Sequence, residues 1–391
     1  MLDITRLSTT ELYELAENEN TPSETLIELS EEKNREILQR LAKNPNTPIS
    51  ILERLSYNFP DEVINNPVCE LLWLENPNQM DFYKVALAKS SSTSEAKLIQ
   101  LAEDSNTKIK NALLERKSLS VELLKKLATD SNVYVRQSVA ENPNTSASTL
   151  KILANDSDYY GYHVRQSVAA NKNTSASTLK VLANDSHTNV LISVARNKNT
   201  PLETLKKLAI NSNQTVRYYV AENPNTPAST LEILANYPDT NVCSLVANVR
   251  LSVTKNKNIS VEALKKLAND SNHHVRESVA ENPNTPASTL EILANDPNTF
   301  VRASVARNKN TPLETLNKLA TNSSNYVRQS VAFNKNTSLS TLEELASDEC
   351  EHVRGEVACN PNCPLAVFEQ LKNDDSKQVR AKQQKTLIIH L

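Results

Sequence analysis

Glycine is almost missing from this chain: only Gly161 and Gly355 are present, where ordinary usage would place roughly 27 in a protein of this size. A chain so poor in the residue that enters positive φ freely builds few tight hairpin turns and no glycine-rich phosphate cradle. Hairpin-rich β folds and P-loop or Rossmann nucleotide sites are therefore disfavoured, and asparagine is expected to supply the turns. A dominant charge is missing as well. Lys+Arg 43 against Asp+Glu 46 leaves a formal charge of −3, which provides no bulk field for nucleic acid or an anionic membrane. Nowhere do about eighteen apolar residues follow one another to span a bilayer, and the start, Met1-Leu-Asp-Ile-Thr-Arg, lacks the apolar core of a signal peptide. Five cysteines without regular spacing fit a reducing compartment better than a disulfide framework. The expectation is a cytoplasmic monomer with no membrane contact.

What is present is repetition. The string ENPNTPASTLEILAN occurs unchanged at Glu222–Asn236 and Glu281–Asn295. Measured from its central asparagine, the unit recurs at Asn142, Asn171, Asn197, Asn223, Asn256, Asn282, Asn308, Asn334 and Asn360, in steps of 26 residues except for one of 29 and one of 33. Looser copies at Asn18, Asn44, Asn66, Ser90 and Arg116 bring the total to fourteen units, with steps between 22 and 26. Each unit reads as two short helices around an Asn-x-Asn turn. Thr200-Pro201-Leu202-Glu203 and Thr311-Pro312-Leu313-Glu314 are expected to cap the second helix with threonine, proline and glutamate. Asp156, Asp185, Asp270 and Asp296 are expected to cap the next first helix. Apolar residues such as Val135, Val139, Leu150, Leu153 and Ala154 recur at i, i+3, i+4 spacing and form only a narrow stripe, so no unit can bury its own. Stacked units would bury it in a quasi-one-dimensional array.

The core Val-Arg-x-Ser-Val-Ala-x-Asn-Pro-Asn-Thr-Pro-x-x-x-Leu-x-x-Leu-Ala resembles the variant leucine-rich repeat family, and the Asp-x5-Arg spacing of Asp130 to Arg136 and Asp270 to Arg276 is similar to HEAT repeats. The resemblance is specific from about residue 109 to 380. It implies a right-handed superhelix of alternating α and 3₁₀ helices, with the Val-Arg segment partly 3₁₀, and a binding role. Some members of that family hold an iron–sulfur cluster in a cysteine-rich N-terminal segment. This chain shows no such segment, so no cofactor is expected. The expected organisation is an all-α solenoid with degenerate repeats and a cap over 1–108, a regular array over 109–380 and a cap helix over 381–391.

Several candidate sites follow. A ladder of Arg136, Arg165, Arg217, Arg250, Arg276, Arg302, Arg328, Arg354 and Arg380, preceded by Lys110, would suit phosphates. Most rungs have an aspartate six residues earlier, which points to structural pairing between neighbouring units. Cys350, His352, Cys359 and Cys363 cluster near the end, but without the spacing of a tetrahedral zinc site. No H-E-x-x-H or G-x-S-x-G motif is present, and no catalytic role is expected.

Positions that differ between otherwise identical units are the best candidates for recognition. One row lies before the Val-Arg pair (Tyr134, His163, His274, Phe300, Tyr326), a second directly after it (Gln137, Tyr218), and a third before the central asparagine (Arg196, Lys255, Arg307, Phe333). Spacings of three and four place all three rows on one helix face, which in a HEAT-like stack is the concave side. Two longer links, at Asp158–His163 and around Asn241 to Arg250, are further candidates. The leading expectation is a scaffold that binds a protein partner; the alternative is nucleic-acid binding through the Val-Arg ladder.

A stacked array should be extended. A globule of this length would have a radius of gyration of roughly 21 Å, so small-angle scattering is expected to return a clearly larger value, and a value near that figure would refute the stacked arrangement.

Overall fold

In the computed structural model of this protein, residues 4–76, 80–116, 118–237 and 244–390 are described. Among them lie twenty-nine α-helices, a single 3₁₀ turn at Ile4–Arg6 and no strand. The chain forms two compact units, Met1–Leu182 and Ala183–Leu391. Each is an all-α solenoid stack of two-helix repeats. The Asn282 repeat is representative, with a first helix His273–Glu281 and a second helix Ala287–Leu293. The expected 3₁₀ character of the Val-Arg segment is not observed: first helices such as Val133–Glu141, His273–Glu281 and Thr299–Arg307 are α-helical. Nine residues give an α-helix two full turns and keep three of its side chains on one stripe, whereas 3₁₀ runs beyond three or four residues are disfavoured by their poorer hydrogen bonds.

The core follows the narrow apolar stripe. Val275, Val279 and Ala280 of the first helix and Leu290 and Leu293 of the second are almost wholly buried. Within each unit first helices pack on those of the next repeat, as Thr299–Arg307 does on Asn325–Phe333 and that helix on Glu351–Cys359. Trp73 packs with Tyr83 beside the N-terminal core, ring centroids 5.3 Å apart.

The central asparagine has a role beyond turning the chain. Asn308 ends its first helix, and its side-chain Nδ2 donates to the carbonyls of Ala280 (2.6 Å) and Asn282 (3.0 Å) in the preceding repeat. Those carbonyls lie at the end of the preceding first helix, where an α-helix has no internal donors left. The bond recurs from Asn44, Asn66, Asn171, Asn223, Asn256, Asn334 and Asn360. Where asparagine is absent, the Arg116 guanidinium reaches the equivalent carbonyls of Ala88 and Ser90, at 2.8 and 2.7 Å. The asparagine Oδ1 meanwhile accepts from the N–H two residues on, as Asn308 does from Asn310 at 2.9 Å. Asparagine therefore supplies the turn as expected, but as an Asx turn with negative φ. No described non-glycine residue has a positive φ.

Two of the expected helix caps are corrected. Thr200 does not cap the second helix; its Oγ1 donates backwards to the Val194 carbonyl at 2.6 Å, and Thr311 does the same to Val305. Serine caps several second helices, with Ser120 accepting from Leu123 N–H at 3.0 Å and Ser260 from Ala263 N–H at 3.1 Å. Several first helices are capped by asparagine, such as Asn272 and Asn298. The aspartate lies two residues further upstream and accepts from that asparagine's N–H, as Asp270 does at 2.8 Å.

Asn308→Ala removes both inter-repeat bonds from a buried site, which should cost about 2–4 kcal/mol of stability. Asn308→Asp preserves the turn acceptor but cannot donate, so it is expected to lose at least as much. Denaturant melts of the two variants test this, and a parent-like Asp variant would show that only the turn matters.

Candidate functional site

The arginine ladder is structural. Arg276 Nε and Nη2 grip Asp296, twenty residues later, at 2.6 and 2.9 Å, while Nη1 donates to the Asp270 carbonyl at 2.8 Å. Arg328 holds Asp348 and Arg354 holds Asp374 with the same geometry. Arg136 pairs with Asp156 and Arg250 with Asp270, and lysine takes the place of arginine in Lys84–Asp104 and Lys110–Asp130. The carboxylate partner thus lies one repeat ahead, and the aspartate six residues upstream, singled out from spacing alone, contributes its carbonyl. Burial would raise the Asp296 pKa, but hydrogen bonds from Arg276 and from the Asn298 N–H, with the charges of Arg276 and Arg302, bring it below the usual carboxylate range. Asp374 is lowered chiefly by Arg354.

The ladder also has substituted rungs. Arg217 has Tyr237 where a carboxylate would stand and lies over its ring, 3.9 Å from the centroid. For Arg302 the corresponding position is Asn322. Arg302 Nη1 donates to the Asp296 carbonyl at 2.7 Å, and its buried Nε finds no acceptor.

The three variable rows do share a face of the first helices, with unequal exposure. Tyr134, His274, Phe300, Arg196, Lys255, Arg307 and Phe333 are exposed; His163, Gln137, Tyr218 and Tyr326 are half-buried. Tyr134, Gln137 and His163 belong to the first compact unit. There Gln137 Nε2 donates to Glu141 at 2.8 Å, and the His163 ring lies 4.0 Å from that of Tyr162. His274 Nδ1 lies 3.4 Å from a Glu277 carboxylate oxygen.

Apart from His274, the second unit gathers its row residues into two places. In one, Phe300 and Tyr326 meet edge to face at 5.8 Å, and Arg307 lies over Tyr326 at 4.9 Å. Phe333, 60% exposed, follows on the same helix as Tyr326. In the other, Gln214, Thr215, Tyr218, Tyr219, Asn248, Leu251, Ser252 and Lys255 line a cleft of about 400 Å³ between the helices Gln214–Glu222 and Ser244–Lys255. Tyr218 and Tyr219 are in edge contact at 5.1 Å, and Arg196 covers Tyr219 at 5.0 Å. The Tyr218 hydroxyl donates to Glu222 at 2.6 Å; this bond, then burial, raises its pKa. Gln214 Nε2 is buried with no acceptor. Gln214, Tyr219, Asn248, Leu251 and Ser252 were not foreseen. Tyr219 was signalled by its place, where other repeats have serine (Ser138, Ser278, Ser304).

Of the two longer links, Asp158–His163 presents Tyr159 and Tyr160 to solvent in the first unit, while Gly161 admits the Asp156 carboxylate where a Cβ would stand 2.5 Å from it. Residues 241–243 of the other link lie outside the described residues. Cys350 caps a helix whose last residue is Cys359, and burial pushes the Cys363 thiol up to about 11. Among the described residues no three metal-binding side chains converge, and no helix is long and apolar enough to cross a membrane.

Comparison with known proteins places the repeat. A family described as Leucine rich repeat variant matches residues 273–298. The repeat centred on Asn282 is thus similar to a leucine rich repeat variant. Among solved structures, one reported as "A leucine-rich repeat variant with a novel repetitive protein structural motif" is 24% identical over 59% of this chain and 87% of its own, with a TM-score of 0.44. The Pds5-Scc1 complex structure aligns with 97% of this chain and 70% of its own at 14% identity and a TM-score of 0.27. A designed armadillo repeat protein in complex with the peptide (KR)4 covers 81% of this chain and 96% of its own at 15% identity, with a TM-score of 0.10. No curated protein matches. The repeats carry a structural ladder and, on one face of the first helices, side chains that vary from repeat to repeat.

Arg276→Ala strands Asp296, of which only 5% of the side chain is exposed, and should cost about 2–4 kcal/mol, nearer the buried than the exposed range for ion pairs. Asn322→Asp should act in the opposite sense: it retains the acceptor that Ser324 N–H uses at 3.1 Å and offers Arg302 a carboxylate, raising the melting midpoint by about 1–3 °C. Thermal melts decide both. Loss of DNA retention by Arg276→Ala at unchanged melting would return the ladder to a binding role.

Proposed function

We infer that this chain is a non-catalytic scaffold that holds a protein partner along the first-helix face of its repeats. The reading rests on the row residues of the second unit: while Val, Ala, Leu and Asn positions repeat nearly verbatim, Tyr218, Phe300, Arg307, Tyr326 and Phe333 change from repeat to repeat and remain wholly or partly exposed. Packing does not require these rings, since other repeats place Gln137, Glu277 or Thr215 at the same positions. Tyrosine, phenylalanine and arginine are enriched where protein interfaces draw their energy. The Phe300–Tyr326–Arg307 group is already packed together, so little side-chain entropy would be lost on binding.

Nucleic acid is the weaker reading. The ladder that would contact phosphates is committed to aspartates, and Glu222 and Glu281 interrupt the basic residues of the third row. A nucleic-acid strand presents a charge about every 3.4 Å and would meet both glutamates.

Replacing Tyr218, Phe300 and Tyr326 together by serine should weaken binding of a partner captured by crosslinking from the native source by several kcal/mol, with helicity and melting midpoint near the parent's. Titration calorimetry and circular dichroism separate the outcomes. A variant that loses stability with no separate effect on binding would make the rings part of the core.

A further inference from the structure

The third row of the second unit carries an ordered sequence of charges. Arg196, Glu222, Lys255, Glu281 and Arg307 end five successive first helices, so the sign alternates at every repeat. The turns follow the same alternation: Lys198, Lys257 and Lys309 accompany the basic ends, whereas Pro224 and Pro283 accompany the acidic ones. All eight charged side chains are exposed. Among the described residues none of them forms an ion pair, in contrast to the ladder arginines inside the stack. Their internal contacts are limited to Arg196 over Tyr219, Arg307 over Tyr326 and the Tyr218 hydroxyl on Glu222.

The alternation holds its register through the longer link. Asn256 Nδ2 donates to Ala221 and Asn223 at 2.7 and 2.9 Å, the bonds that Asn308 makes to Ala280 and Asn282. The added residues before Arg250 therefore leave the spacing of the helix ends unchanged. Packed helices lie about 10 Å apart and an extended chain advances about 3.3 Å per residue, so one repeat corresponds to about three residues of an extended ligand. Charges of one sign recur about every six.

We propose that this face takes an extended segment of a partner protein that carries an acidic residue about every six positions, opposite Arg196, Lys255 and Arg307, and a basic residue midway between, opposite Glu222 and Glu281. The inference rests on the protein-binding reading and gives that partner its chemistry. Exposed charges in such an arrangement select register and partner more than they add affinity, since a segment displaced by one repeat brings like charges together throughout. The cleft between Tyr218 and Lys255 lies within the row, where Gln214 Nε2 offers an unused donor to an acidic side chain entering beside Lys255.

The test uses the full chain and fluorescein-labelled synthetic peptides, with anisotropy read at low salt. One peptide has glutamate about every six residues and lysine midway; a second has the same composition with charges gathered into two blocks; a third has the signs exchanged. The first is expected to bind about tenfold more tightly than either control. A protein with Arg196→Glu, Glu222→Lys, Lys255→Glu, Glu281→Lys and Arg307→Glu should reverse the preference between the first and third peptides. If that protein melts lower than the parent, the pair Lys255→Glu and Arg307→Glu should at least abolish the preference. Equal binding of all three peptides, no binding of the first, or an unchanged preference in a folded variant overturns the proposal. If the serine triple variant loses its captured partner while peptide order has no effect, only this charge code fails; if the triple variant retains the partner, the underlying reading fails too.

Discussion

The stack depends on a side-chain amide that recurs at the end of most first helices. An α-helix leaves its last carbonyls without internal donors, and many helices answer with a glycine that turns the chain back in left-handed conformation. Here the asparagine of the following repeat supplies the donor, as Asn334 does to Ala306 and Asn308 at 2.6 and 3.0 Å. The end of each repeat is thus completed by its neighbour. That dependence also accounts for the near absence of glycine, because no left-handed cap is needed.

A second ladder runs beside the first and fixes the other end of the first helix. Asp270 and Asp296 each link three elements: the carboxylate takes the arginine of the preceding repeat and the N–H of the capping asparagine, and the carbonyl takes the arginine of its own repeat. Such a node orders the link between repeats at modest net energy, because the attraction is offset by the desolvation of both charges. It also occupies the cations that an array of Val-Arg motifs would otherwise offer to phosphates. With the interior of the stack given over to these ladders, most of the variation falls on the side chains outside them. The Phe300–Tyr326–Arg307 group, the Tyr218 cleft and the alternating helix ends all occur there.

Much of this was legible in the chain. The 26-residue period, the two-helix unit, the apolar stripe and the shared face of the three rows follow from spacing alone, because a helix places residues three and four apart side by side whatever surrounds it. The structural character of the arginines was legible too, from their aspartates. Which atoms pair was not. Asp270 stands six residues before Arg276 and twenty after Arg250, and only the stacking of one repeat on the next decides that its carboxylate goes to Arg250. Threonine before proline looks like a helix cap in sequence, and only the fold of the turn shows its hydroxyl directed back to the first helix. The cleft escaped because its walls come from two repeats separated by a longer link, where the pattern of Asn248, Leu251 and Ser252 is hidden by the added residues.

The sequence by itself determined the helical class, the number and phase of the repeats and the face on which they differ, because these are properties of one helix or one period. Tertiary structure alone decided the asparagine bonds, the partner of each arginine and the grouping of variable side chains into an aromatic cluster and a cleft. Each of these is a relation between neighbouring repeats, and a hydrogen bond or ring contact that spans two repeats leaves no spacing signal within either.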